Sequence, residues 1–92
     1  MIKSFAHKGL QKFYETGSKS GIQPRHTERL RLQLTALNTA LVISDMDMPG
    51  WRLHDLTGNR KNTWAITVNK NWRITFEFKD GDARIVNYED YH

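Results

Sequence analysis

Ninety-two residues suffice for one compact domain, and 38% hydrophobic with 26% charged residues is the composition of a soluble globular protein. No apolar run approaches the ~20 residues of a membrane span, no cysteine is present to staple an exported fold, and MIKSFAHKGL lacks the apolar core of a secretory leader. A single cytoplasmic domain over 1–92 is expected, and fourteen Lys and Arg against ten Asp and Glu, a charge of +4, point to an anionic partner.

In chain order, IKSF (2–5) reads as a short first strand. HKGLQKFYETG then sets Leu10, Phe13 and Tyr14 on one helical face with Gly17 as the stop. After the SKSGIQP loop, Leu30, Leu34, Leu37 and Leu41 recur at steps of 4, 3 and 4, which predicts a longer helix packed on the protein's own sheet. Arg29, Arg31, Gln33 and Asn38 are assigned to its solvent side. MDMPG (46–50) closes the helical half with a Pro-Gly signal. Beyond it, WRLHDL (51–56), WAITVN (64–69), WRITFEFK (72–79) and DARIVNYE (82–89) are β-branched and aromatic, hence strands. Asp80-Gly81 supplies the positive φ pair of a tight hairpin, and Asn69-Lys70-Asn71 makes the preceding connection. The fold class is therefore α+β: two N-terminal helices packed on one face of a twisted antiparallel β-sheet in meander order.

Strand alternation sorts the faces. Trp72, Ile74, Phe76 and Phe78 belong under the helices with Trp64, Ile66 and Val68, so Arg73 and Thr75 project from the open side. If Trp51 and Leu53 point inward, Arg52 and His54 join them. Six basic residues lie between Trp51 and Lys79 (Arg52, Arg60, Lys61, Lys70, Arg73, Lys79), against Asp55 and Glu77 alone. The chain's last residues, NYEDYH, return beside WRITFEFK through the hairpin and reach the edge of that surface.

Such a set suits RNA. Attack of a ribose 2′-hydroxyl on its own phosphate requires a proton acceptor, a proton donor for the 5′-oxygen, and fixed positive charge. His, Tyr or Asp, and Arg can fill those posts. His92, beside Asp90 and followed by no further residue, is expected to hold its proton for donation, and Tyr91 to stack on a base or bond a phosphate. The plainer alternatives are a solvated His54 and His92, and ion pairing of Glu89-Asp90 with the basic sheet. His7 and His26 are expected to be solvated surface residues. GNRKNT (58–63) is a basic loop that holds a phosphate or is a simple turn. Scattered histidines and the absence of HExxH or paired carboxylates give no metal motif, and no GxGxxG or GxxxxGK[ST] loop occurs, so neither metal nor cofactor is expected.

Three stretches carry a family resemblance: LH-x-L-x-G (53–58), W-x-I-x-V-x-x-NWRITF-x-F (64–78) and GDA-x-I-x-NYEDYH (81–92), joined by MIKSF-x-HKGL at the start. Together they resemble the HigB toxins of the RelE/ParE superfamily along practically the whole chain. The resemblance implies a microbial-RNase-like fold and a ribosome-dependent mRNA interferase that cuts the message in the A site. It also implies an adjacent-gene antitoxin, HigA, whose helix-turn-helix domain takes the complex to operator DNA. Carried over by position, His54, Arg73, Asp90, Tyr91 and His92 form the implied catalytic cluster. Arg52, Thr57, Arg60, Lys61, Lys70 and Asn71 are the implied RNA contacts. Many relatives have lysine where this chain has Thr57; Arg60 or Lys61 in the same loop would replace it. Two other functions compete: a gyrase-inhibiting toxin of the ParE branch, against which the DYH end argues, and a catalytically weakened RNA-binding domain, which Thr57 motivates.

Overall fold

The computed structural model describes residues 1–56, 58, 60 and 62–91. Helix α1 spans Lys8–Thr16 and helix α2 Thr27–Thr39, and strands β1 (His54–Asp55), β2 (Thr63–Asn69), β3 (Trp72–Lys79) and β4 (Asp82–Asp90) follow. The strands form one antiparallel meander, β1-β2-β3-β4. This is the α+β architecture expected.

Helix α1 ends where its sequence says it must: Gly17 adopts φ 82° and its N–H donates to the Phe13 carbonyl at 2.8 Å, a left-handed cap that glycine takes without strain. At its other end His7 is the cap, its Nδ1 accepting from the Leu10 N–H at 2.9 Å. His7 was expected to be a solvated residue; it is half-buried and set edge-on to Tyr88 instead. Leu10, Phe13, Leu30, Leu34 and Leu37 meet Ile66, Val68, Ile74, Phe76 and Val86 in one core between helices and sheet. Each such side chain, taken fully out of water, favours the fold by about 1.5–3 kcal/mol before chain entropy is counted.

The leucine stripe stops one residue short of expectation. Ala40 leaves the helix with ψ 132°, so Leu41 lies beyond α2 and is 79% exposed. On the other side of α2 the assignment of Arg29 and Gln33 to solvent is wrong. Gln33 is fully buried, its Nε2 donating to the Thr67 carbonyl at 2.8 Å, and Arg29 reaches the carbonyls of Gly50 (3.0 Å) and Thr67 (3.4 Å). The Thr67 acceptor exists because the sheet is irregular there. The register slips between Thr67 and Asn69, leaving a backbone oxygen that a side chain must satisfy.

Two expected strands are shorter than their composition suggests. IKSF makes two isolated parallel bridges to β4, Ile2 with Ala83 and Phe5 with Val86. WRLHDL is a strand only at His54 and Asp55, with single backbone bonds to β2 on either side (Thr67 N–H to the Trp51 carbonyl, 2.7 Å, and Leu56 N–H to the Thr63 carbonyl, 2.8 Å), because Arg52 takes φ 51° and breaks the extended run. The Asp80-Gly81 turn is as read, with φ 54° and 79°.

Two bulges decide which side chains face out. The β3–β4 hairpin leaves its turn in the register Lys79↔Asp82, Phe78↔Ala83, Glu77↔Arg84, but resumes as Thr75↔Asn87 and Arg73↔Glu89. The extra residue is Ile85, at φ 54° and 51% exposed. A one-residue insertion exchanges the two faces of everything after it. Val86 and Tyr88 therefore turn into the core, and Asn87, Glu89 and Tyr91 turn out beside Arg73. The β2–β3 slip does the converse, setting Asn69 opposite inward-facing Trp72.

Candidate active site

The open face of the sheet carries His54 on β1, Thr63, Ala65 and Thr67 on β2, Arg73, Thr75 and Glu77 on β3, and Asn87, Glu89 and Tyr91 on or after β4. At one end of it opens a cleft of about 600 Å³ lined by Arg29, Arg52, His54, Thr67, Lys70 and Tyr91, among others. Its size lies in the range of about 300–1,000 Å³ common to small-ligand sites. Three of those six side chains are cationic, so the cleft is built for an anion.

His54 is exposed, and its Nδ1 lies 2.8 Å from the Arg52 carbonyl. A carbonyl only accepts, so the proton sits on Nδ1 and the neutral ring presents Nε2 as a proton acceptor. The left-handed backbone of Arg52 is what turns that carbonyl toward the ring two residues on.

Arg73 stands two strands away, roughly 10 Å across the sheet at the ~4.8 Å spacing of neighbouring strands. It is held from two directions. Its Nε–H donates to Glu89 Oε1 at 3.0 Å, and its guanidinium lies 4.2 Å over the Tyr91 ring. The side chain retains 17% exposure, and a contact made through Nε leaves the planar guanidinium its Nη groups as further donors. Glu89 is itself held, accepting from Asn87 Nδ2 at 3.2 Å and pairing with Arg60 at 3.6 Å. Arg60 is thus tied to the cluster through a carboxylate, as the ion-pairing alternative for Glu89 anticipated.

Of the residues expected at the site, His54, Arg52, Lys70 and Tyr91 line one cleft, and Arg73 is stacked on Tyr91 at its edge. Asn71 sits in the adjoining turn, where its carbonyl accepts the Tyr91 N–H at 2.8 Å. Asp90 is placed differently: its backbone registers with Trp72, so it belongs to the helix-facing side and not to the face of Arg73. Thr57, Lys61 and His92 lie outside the described residues.

Sequence reasoning missed three contributors. Glu89 was seen only as a neutralising charge, although the bulge at Ile85 makes it the partner of Arg73. Arg29 was assigned to solvent, yet it forms a cleft wall from α2. His26 was expected to be solvated, but is 3% exposed at the start of α2, with Nδ1 2.5 Å from the Tyr88 hydroxyl and Nε2 2.7 Å from the Asn69 amide nitrogen. Burial, reinforced by the neighbouring Arg25, lowers its pKa below the ordinary histidine value, and burial raises that of Tyr88. None of these three leaves a local sequence signal, since each depends on a bulge or a long-range contact.

Comparison with known proteins agrees with the geometry. Residues 3–92 match the family model of the RelE-like toxin of the type II toxin-antitoxin system HigB. The chain is 49% identical over 92 residues to "Endoribonuclease HigB" of Proteus vulgaris, covering all of both chains. It is 36% identical over 94 residues to "Toxin HigB-1" of Vibrio cholerae serotype O1, covering 100% of this chain and 98% of that one.

Proposed function

This chain belongs to the RelE-like HigB toxins of type II toxin–antitoxin systems, and on that premise we propose that it is an endoribonuclease that enters the ribosomal A site and cuts the message held there. The reading rests on one observation: a proton acceptor (His54), cations (Arg52, Lys70) and an aromatic platform that also carries Arg73 (Tyr91) surround a single open cleft of about 600 Å³.

The chemistry is acid/base catalysis without a metal. A ribose lying over Thr67 brings its 2′-hydroxyl to His54 Nε2, which takes the proton as the oxygen attacks the adjacent phosphorus. The Nη edge of Arg73, with Arg52 and Lys70, meets the charge that accumulates on the phosphorane. Tyr91 offers its ring to the neighbouring base, while His92, with Asp90 near it in sequence to sustain an imidazolium, returns a proton to the departing 5′-oxygen. Thr57, Arg60, Lys61 and Asn71 contact the backbone on either side. The products are a 2′,3′-cyclic phosphate and a free 5′-hydroxyl.

A type II toxin is neutralised by a protein antitoxin. For this chain the reading is a HigA-type helix-turn-helix partner that carries the complex to operator DNA, with the free toxin acting on ribosomes in the cytoplasm. No helix among the described residues is long and apolar enough to cross a membrane.

Ribosomes programmed with a defined message provide the test. Cuts within the A-site codon that leave 2′,3′-cyclic phosphate ends are expected. An intact message together with inhibited gyrase would replace this reading with a ParE-like one, and an intact message with RNA retained would reduce the chain to a binding domain.

A further inference from the structure

The His26 imidazole takes no part in the chemistry above, yet it is 3% exposed and hydrogen-bonded through both ring nitrogens. Its two ring nitrogens reach two different strands. Asn69 Nδ2 donates to Nε2 at 2.7 Å, so the ring proton sits on Nδ1 and is given to the Tyr88 hydroxyl oxygen at 2.5 Å. That oxygen also accepts the Gln23 N–H at 3.3 Å. The rings of Trp72 and Tyr88 stand edge-on to the imidazole at 5.6 and 5.9 Å, and face each other at 4.5 Å.

The bonds continue from there to the cleft. Asn69 Oδ1 accepts the Asn71 N–H at 3.3 Å, and the Asn71 carbonyl accepts the Tyr91 N–H at 2.8 Å. Asn69 and Lys70 line the cleft from one side and Tyr91 from another. The chain of contacts therefore runs from the start of α2, through the turn between β2 and β3, to the ring on which Arg73 lies. The bulge that sets Asn69 opposite Trp72 is what lets its amide meet His26 under the sheet while its backbone stays at the cleft.

We infer that His26 is a positioning residue for RNA cleavage: through Asn69 it fixes the 69–71 turn, and through the Asn71 carbonyl it fixes the Tyr91 end of β4 on which Arg73 is stacked. The inference rests on the proposed nuclease reading for its catalytic consequence, but not for its structural one. Neutral imidazole is required, because a second ring proton would confront the Asn69 amide hydrogens. Turning that amide over would relieve the clash only by giving up the bond to Asn71. A displacement of the catalytic groups by 1 Å costs on the order of a hundredfold in rate, so a buried strut of this kind controls turnover without touching RNA.

The test compares wild type with His26→Phe, which keeps a flat ring, His26→Gln, which keeps a polar end, and Asn69→Leu, which cuts the strut without emptying the core. Two quantities are read: the single-turnover cleavage rate with its half-saturating ribosome concentration, and hydrogen exchange at the Asn71 and Tyr91 amides. In His26→Phe and Asn69→Leu the cleavage rate is expected to fall by about tenfold to a hundredfold with half-saturation shifted less than about threefold. Exchange at both amides should quicken, and His26→Gln should recover part of each loss. Unchanged exchange in a folded Asn69→Leu protein overturns the inference, as does a full cleavage rate in which both amides have loosened. Should wild type itself leave the message intact, the nuclease reading fails while quickened exchange still establishes the strut.

Discussion

The carboxylate of Glu89 takes the Nε–H of Arg73 at 3.0 Å, directly across the β3–β4 pair. The contact uses one edge of the guanidinium and leaves the other edge to a phosphate. Glu89 thereby holds Arg73 over Tyr91, a residue of the cleft wall, at the cost of an anion beside an anion-binding site.

That balance can be measured. Glu89→Gln keeps an acceptor for the Nε–H and removes the charge, so RNA cleavage should change by no more than a few fold. Glu89→Ala frees the guanidinium to swing and should lower the single-turnover rate by about tenfold or more. Arg73→Lys lacks the planar fork and should lose about a hundredfold or more, with thermal unfolding close to wild type. A cleavage rate in Arg73→Lys equal to wild type would remove Arg73 from the mechanism.

For His54 the expectation is a loss of activity without a loss of fold. The ring is exposed, and among the described residues it bonds a local carbonyl. His54→Ala should slow cleavage by about 10²–10⁴-fold and abolish growth arrest, with a melting temperature within a few degrees of wild type. Growth arrest by a folded His54→Ala protein would transfer the base to another group.

Ile85 is a β-branched residue held at φ 54° on the surface, where such residues are strained. Asparagine tolerates that backbone. Ile85→Asn should therefore stabilise the protein by about 1 kcal/mol, read by denaturant or thermal unfolding. Deleting Ile85 should do the opposite, because it would turn Tyr88 out of the core and Glu89 and Tyr91 into it.

Acidification should weaken the fold through two histidines. Burial lowers the pKa of His26, with Arg25 adding to the effect, and burial lowers that of His7, whose Nδ1 caps α1. In the unfolded chain both titrate near the ordinary histidine value of 6.5, so below that pH the unfolded state binds more protons and stability falls with the pH. The full contribution is present above the unfolded pKa and is lost as pH drops toward the folded values. The melting temperature should decline from about pH 7 to about pH 5, and His26→Gln should flatten part of that slope. A profile in His26→Gln as steep as wild type would assign the loss elsewhere.

Much of this architecture was legible from local pattern. Gly17, the Leu30–Leu34–Leu37 stripe and Asp80-Gly81 each specify their geometry through φ or period, and each is found as read. The placement of Arg73 on the open face followed from alternation alone, whereas His54 reaches that face from a two-residue strand that begins after the break at Arg52. What alternation cannot supply is a register that changes within a strand. Counting straight back from the turn sets Tyr88 opposite Arg73 and sends Asp90 outward with it, whereas the inserted Ile85 substitutes Glu89 and Tyr91. The buried roles of His26 and Gln33 were hidden for a related reason, since both answer polar groups near the slip at 67–69.

The two isolated bridges made by Ile2 and Phe5 bear on how a protein partner can approach. They shield the free side of β4, while the opposite margin, β1, offers two residues. Among the described residues, little unpaired backbone remains for an incoming segment to extend the sheet by main-chain hydrogen bonding. An antitoxin that captures this molecule is therefore expected to do so through side-chain contacts on helices and loops, and recognition should tolerate backbone changes in the partner better than changes of shape.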